Sequence, residues 1–514
     1  MSEVPYAIAA PPQSRVRSAL FGRTAILAAL ALSLGGGAVL RVWRIDALGF
    51  NSDETVYAGQ AASIANDPSL RDLFPIFRAH PLLFQAVLSL PFRLHVSDLY
   101  GRLLETAVAL ATIVVVYKIG RLLYGPAAGV AAALILAAMP YDVVVSRQVL
   151  LDGPMTLLST VALYCLARYA VQARPAWLYA AGGALGLTLL AKETAVLLLG
   201  SVYAFLALSP GIAVRLRHVL GALAVMLLTI APYPVSLLFS GSSATGEHYL
   251  VWQLFRRANH GLLFYPEQVS LAVGPATLVA AVVGLRVLRA RNSWRESLLV
   301  SWLVVPVVFF ELWPVKGFHY LLVAAPPLAL LAGRTLAAWP GDLRLGRLSL
   351  PGRWTRVLAV AAVLATLVPV SIGRIEPAAS ATFLAGSGGV PGGREVGRWV
   401  DAHVPQGATL LALGPSMANI VEFYGHRKVY GLSVSPNPLH RNPAYEPVGN
   451  PDLRIRHNDI QYLVWDAYSA NRSPFFSRTL LRYADRYHGR IVHTAFVGSG
   501  GSRTPVIVVY AVRP

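Results

Sequence analysis

Apolar runs of helical length follow one another from Arg23 to about Gly373, and none of them contains more than two Asp, Glu, Lys or Arg residues. A soluble core cannot bury so many. They require lipid, and in lipid only helices and closed barrels satisfy their own backbone. The runs lie near 23–42, 103–119, 127–145, 154–171, 177–191, 194–209, 218–238, 270–288, 297–312, 320–337 and 356–373. That makes about eleven transmembrane helices on a ~20-residue template with room for tilt and short helices. Composition agrees: 13% of the 514 residues are charged, 55% are hydrophobic and mean hydropathy is +0.54. A soluble domain carries about 25% charged residues. Disorder, a collagen-like fibre, a small disulfide scaffold and an ordinary cytoplasmic enzyme are excluded.

The charge balance sets the orientation. Lys and Arg number 44 against 25 Asp and Glu, a net +19. No basic stripe with interleaved aromatics is present, so nucleic acid is not the expected partner. Cytoplasmic loops of membrane proteins collect Arg and Lys. With the N-terminus inside, Lys118 and Arg121, Arg168 and Arg174, Arg215 and Arg217, Arg286 to Arg295, and Arg344 to Arg356 all fall on the cytoplasmic side. One missed span would break that alternation. The first apolar run, preceded by Arg15, Arg17 and Arg23, is expected to be an uncleaved helix. Three outer pieces are then long: 43–102, 239–269 and 374–514. The short apolar stretch 80–95 within the first is expected as an interfacial or re-entrant helix. The single cysteine, Cys165, lies inside an apolar run, where a thiol stays protonated and unreactive.

The last part of the chain changes character. A Gly-rich stretch, AGSGGVPGG, reads as a linker near 385–393. Strand-like runs follow at 408–413, 460–465 and 504–512, with helical patterns at 394–403, 416–424 and 475–487. The expected organisation is a cytoplasmic tail 1–22, a transmembrane domain 23–374, a linker 375–393 and a soluble, extracytoplasmic α/β domain 394–514.

Ionisable residues at membrane level are costly and invite a chemical reading. Asp53 and Glu54 stand in the first outer loop, followed by Tyr57. Adjacent carboxylates point in different directions, so one can react while the other pairs or caps; equally, Ser52 or Asp53 can simply open a helix. Arg147 and Asp152 stand in the second outer loop, where Asp152 either serves the site or caps the next helix with Arg147 as its partner. Lys192 either snorkels or meets an anionic headgroup or phosphate. Arg256 and Arg257 fall in an outer loop with the spacing of an interfacial amphipathic helix. His319 and Tyr320 follow an outward Trp-Pro loop that also fits an aromatic interface belt. His80, His248 and His260 lack the spacing of a metal site, so no metal is expected. Each segment alone is ambiguous, but the topology puts all of them on one face. A cleft of carboxylates and cations over a membrane suits a reaction at a lipid-borne anionic group.

These pieces, in this order, resemble the membrane-embedded C-type glycosyltransferases, nearest the protein O-mannosyltransferases and the bacterial lipid-A aminoarabinose transferases. The matching pieces are Asp53-Glu54 after the first helix, His80-Pro81-Leu82-Leu83, Arg102, Ser146-Arg147 with Leu150-Leu151-Asp152, Lys192 and the His319-Tyr320…Pro326-Pro327 segment, within residues 20–340. The resemblance implies inverting transfer of a sugar from a polyprenyl-phosphate carrier to a protein, glycan or lipid acceptor in the plasma (inner) membrane, with no cofactor required. It assigns Asp53 as general base or acceptor-orienting carboxylate, with Glu54 beside it as a second catalytic carboxylate. It places Asp152, Arg147, His80, Tyr57, His319 and Tyr320 around the substrates. It gives the lipid phosphate to Lys192 and to Arg256 or Arg257. The chain departs from the group at Leu82, where a second Pro is common, and in carrying its soluble domain at the C-terminus. Aminoarabinose transferases have an acidic and a basic residue where His80 and Leu82 stand, so aminoarabinose is not the expected sugar. Two other classes remain open at this point: a secondary transporter, which calls for midplane charges and an internal repeat, and a non-catalytic scaffold that uses its tail for binding.

Overall fold

The computed structural model describes residues 23–76, 80–240, 252–253, 255–256, 258–286, 293–338, 343–345, 348–375, 390–442, 445–498 and 503–513. The tail 1–22, most of the linker 375–393, the segment 247–251 and Arg257 lie outside these residues.

The chain is mostly helical. Among the described residues, six helices are long and apolar enough to cross a bilayer by length and composition: Thr24–Val42, Asp98–Tyr124, Asp152–Gln172, Leu216–Phe239, Phe318–Ala338 and Gly352–Ile375. The pair Phe264–Val273 and Pro275–Leu285, bent by 97°, makes a seventh if taken as one broken span. The bend falls at Gly274, whose φ of +81° is open to glycine at no steric cost, and Pro275 then starts the next helix. Other expected runs are shorter helices: Pro126–Ala138, Pro175–Ala191 and Glu193–Ala207. Proline is the reason the run at 127–145 is not one long helix. Pro140 cannot continue the hydrogen-bond ladder, so the helix stops at Ala138 and a second one, Pro140–Val145, begins. The stretch at 80–95 contains the ten-residue helix Leu83–Phe92, well short of the ~20 residues a span needs.

The C-terminal part is a five-stranded sheet. Its order is Lys428–Gly431, Thr409–Ala412, Tyr462–Asp466, Thr504–Ala511, Arg490–Val497. The first three strands run parallel and the last two join antiparallel. Thr409–Ala412 and Tyr462–Asp466 are nearly continuous apolar runs, as strands covered on both faces require. Helices Gly393–His403 and Pro415–Gly425 pack together, and their apolar residues join the core of the membrane part. Leu480 and Ala484 of helix Pro474–Arg486 form a separate small core with Leu411 and Leu463.

Candidate active site

The segment after the first helix is built around Glu54. Asn51 caps helix Ser52–Ile64, one residue earlier than the sequence pointed to, by accepting from the Asp53 and Glu54 backbone N–H groups at 3.0 Å. Glu54 is fully buried and closes the capping box by accepting from Asn51 N at 2.9 Å. It also accepts from Arg102 Nε at 2.9 Å, Arg102 Nη2 at 3.0 Å and Val149 N at 3.1 Å. Arg102 spends its other donors on the carbonyls of Ile45, Leu48 and Gly49. Asn51 Nδ2 donates to Gln148 at 2.9 Å. The first and second outer loops are thereby tied into one unit. Asp53, half-buried at the start of the helix, has no side-chain partner among the described residues. The carboxylate oxygens of Glu54 are taken up by four N–H donors. Asp53 is the carboxylate left free.

From Tyr57 the predicted residues follow one another by contact. Tyr57, one turn along the same helix, sits edge-on to His80 with ring centroids 5.8 Å apart. His80 Nδ1 lies 2.8 Å from Glu193 Oε2. Lys192 occupies an extended break between helices Pro175–Ala191 and Glu193–Val196, and the break turns its side chain inward. Its ammonium donates to both oxygens of Asp152 at 2.8 and 2.9 Å and lies 4.8 Å from the Tyr320 ring. His319 Nε2 is 3.7 Å from Asp152. Lys192 and Asp152 are both buried, so each satisfies the charge of the other in surroundings where a lone ion would be costly. Glu105, also buried, packs its carboxyl against Gly153, where any Cβ would collide with it.

Three arginines fare differently. Arg147 is not the partner of Asp152. It donates to the carbonyls of Leu40, Arg41 and Trp43, at 3.0, 2.7 and 2.7 Å, and so satisfies the free carbonyl end of the first helix. Burial, with Arg102 and Arg41 nearby, lowers it to about 10. Arg256 stacks 4.5 Å over Trp252 and lines a cleft with residues of the C-terminal part of the chain. Arg257 lies outside the described residues.

Sequence reasoning missed the contribution of the C-terminal part. Tyr424 donates to Asp98 Oδ2 at 2.7 Å and accepts from Phe50 N at 2.6 Å. Burial, and then the Asp98 carboxylate, push its phenol well above the usual value, so it remains a donor. Arg394 pairs with Asp46 and Asp98, and Asn419 Nδ2 donates to Ser52 Oγ at 3.3 Å. Phe423 packs on Phe50 and Phe74. Two of these contacts, on Phe50 and Ser52, fall within three residues of Asp53. No local pattern signals them, because the partners are more than 290 residues apart. Tyr424→Phe strands the buried Phe50 N–H without an acceptor, a cost of about 1–3 kcal/mol. The expected result is a lower thermal midpoint of the full-length protein in detergent, with Arg394→Lys milder because it keeps the charge.

Beside the cluster is an apolar cavity of about 550 Å³. Tyr141, Tyr265, Val269, Leu303, Phe318 and Leu328 are among its walls. Lys316 is near this cavity: its ammonium lies 5.4 Å from the Tyr265 ring and donates to the Phe310 carbonyl.

The chain is similar to known proteins at three levels. A family model described as dolichyl-phosphate-mannose-protein mannosyltransferase matches residues 79–239. An undecaprenyl phosphate-alpha-4-amino-4-deoxy-L-arabinose arabinosyl transferase of Pseudomonas fluorescens is 33% identical over 105 residues; the match spans 20% of this chain and 18% of that protein. The crystal structure of ArnT from Cupriavidus metallidurans bound to undecaprenyl phosphate superposes with a TM-score of 0.68 at 15% identity, over 94% of this chain and 97% of ArnT. The archaeal oligosaccharyltransferase AglB from Archaeoglobus fulgidus superposes at 0.59 and 14% identity, over 94% of this chain and 74% of AglB. Over nearly its whole length the chain therefore has the fold of the ArnT structure.

Proposed function

We propose that this protein is an inverting glycosyltransferase that moves a sugar from a polyprenyl-phosphate carrier to an acceptor hydroxyl at the outer face of the plasma membrane. The carrying observation is the contact path from Tyr57, one helical turn after the carboxylate Asp53, through His80 and Glu193 to the Lys192–Asp152–His319 cluster. Asp53 takes the proton of the acceptor hydroxyl. The oxygen attacks the anomeric carbon on the side away from the phosphate, the carbon–phosphate-oxygen bond breaks, and the carrier phosphate leaves with the bonding pair. A hydroxyl is a poor nucleophile until that proton is accepted. Lys192 and Lys316 meet the charge that grows on the phosphate. Lys192 does so as part of its pair with Asp152, which holds it in place.

The apolar cavity fits the polyprenyl chain next to the phosphate end, because its walls are almost wholly hydrocarbon. The undecaprenyl and dolichyl phosphates in the names of the similar proteins support a polyprenyl-phosphate donor. The reading also takes the N-terminus as cytoplasmic, about eleven crossings with short helices included, and residues 394–514 as an outer domain. The meeting of Asp53, His80, Lys192, Asp152 and His319, drawn from four separate outer segments, supports that topology.

The test is label transfer by the purified full-length protein in detergent. Mannosyl, glucosyl, galactosyl and arabinosyl polyprenyl phosphates are supplied with a membrane extract as acceptor. Transfer from one donor, with inverted linkage in the product, is the expected result. Uptake of a labelled solute into proteoliposomes, with no transfer from any donor, would overturn the proposal in favour of transport.

A further inference from the structure

A second cleft, of about 700 Å³, lies where the outer loop meets the C-terminal part, and nothing in the reaction proposed above uses it. One wall is Trp252, Phe255 and Arg256. The other is the loop after strand Lys428–Gly431, with Ser433, and the face of helix Pro474–Arg486 that carries Phe476 and Tyr483. The loop leaves the carboxyl end of a parallel strand, and in open α/β sheets ligands settle outside those ends.

The chemistry of the walls is specific. The Arg256 guanidinium stacked over Trp252 makes a broad, flat, amphipathic surface, with Phe255, Phe476 and Tyr483 around it. Flat faces of this kind suit the C–H faces of sugar rings. The hydroxyls of Ser433 and Tyr483 have no hydrogen-bond partner among the described residues, so both are available to a ligand. The ionisable groups that line the cleft, Arg256 and His440, are both basic, and no carboxylate lines it among the described residues. Stacking planes, free hydroxyls and a fork of N–H donors without an opposing acid recognise a sugar with an anionic group.

We propose that this cleft is the acceptor subsite, and that the acceptor is a saccharide bearing an acidic substituent. The assignment to an acceptor rests on the glycosyltransferase reading. Recognition of an acidic saccharide by the cleft does not, and the two are tested apart.

Calorimetric titration of the full-length protein in detergent compares tetragalacturonate, which is acidic, with maltotetraose, which is neutral. Tetragalacturonate is expected to bind, with maltotetraose weaker by about 10-fold or more for want of the Arg256 contact. Tyr483→Ala removes one stacking face and is expected to weaken tetragalacturonate by about 10-fold. Thr479→Trp, at a half-buried lining position, fills the cleft and is expected to abolish binding. Thermal midpoints of both variants check that the fold is kept. Equal binding of the two saccharides, binding of neither, or unchanged binding in both variants would each overturn the proposal. Sugar transfer with no effect of the cleft variants on tetragalacturonate would remove the cleft and leave the enzyme reading standing. Binding at the cleft in a protein that transfers no sugar would keep the saccharide site and remove its role as acceptor subsite.

Discussion

Asp53→Asn is expected to lower sugar transfer by about 10²–10⁴-fold, the range lost when a positioned general base is removed. The fold should barely notice. The side chain is half-exposed and makes no ion pair among the described residues, and the cap of its helix comes from Asn51. What disappears in stability is the attraction of one carboxylate for a helix N-terminus, about 0.3–1 kcal/mol. Asn has nearly the same shape, so donor binding should persist while turnover falls. Initial rates of label transfer, set beside donor affinity measured on the same preparation, read both quantities. Turnover near wild type in this variant would remove Asp53 as the base.

Glu54→Ala, one residue along, should behave in the opposite way. Its main effect is on stability, because Arg102 is then left buried with its charge unmatched. Breaking a buried pair from one side costs about 3–5 kcal/mol. The Val149 and Asn51 N–H groups lose their acceptor as well. Cys165, the single and buried cysteine, provides the reporter: a thiol-reactive dye added during heating labels it as the protein unfolds. The melting midpoint by this measure should drop sharply for Glu54→Ala and hardly at all for Asp53→Asn. Removing Arg102 too, as Arg102→Met in the same chain, should recover only part of the loss, because Arg102 also holds the carbonyls of Ile45, Leu48 and Gly49. Equal midpoints for Glu54→Ala and wild type would contradict the structural role given to Glu54.

The contrast between these neighbours marks where sequence reasoning stops. That a carboxylate pair after the first helix matters was legible, because charges are scarce in so apolar a chain. Which of the two stays free was not. That depends on Arg102 and on the Val149 N–H, both brought in by tertiary packing. Lys192 and Asp152 were legible as singular charges beside apolar runs, yet their pairing joins residues 40 positions apart. Periodicity located the strands Thr409–Ala412, Tyr462–Asp466 and Thr504–Ala511 and the helices between them. It missed Lys428–Gly431, which is only four residues long, and Arg490–Val497, whose outer edge is exposed and broken by irregular register. That helices such as Pro126–Ala138 are short was not legible, because an apolar count does not register where a proline ends the ladder.

The order of strands in the C-terminal sheet bears on how this protein comes to life. Thr504–Ala511 is an interior strand, bonded to Tyr462–Asp466 on one side and to Arg490–Val497 on the other. The sheet that supports Tyr424 therefore cannot close until Thr504–Ala511 has been made and paired on both sides. Domains fold as units, from the N-terminal side, during synthesis. Asp53 is thus made long before the strand that completes its support, and on the function proposed above a chain lacking that strand holds its carboxylate not yet aligned. Catalytic competence would then arrive as the closing event of biogenesis, and a ribosome-arrested chain lacking the final strand should show no transfer.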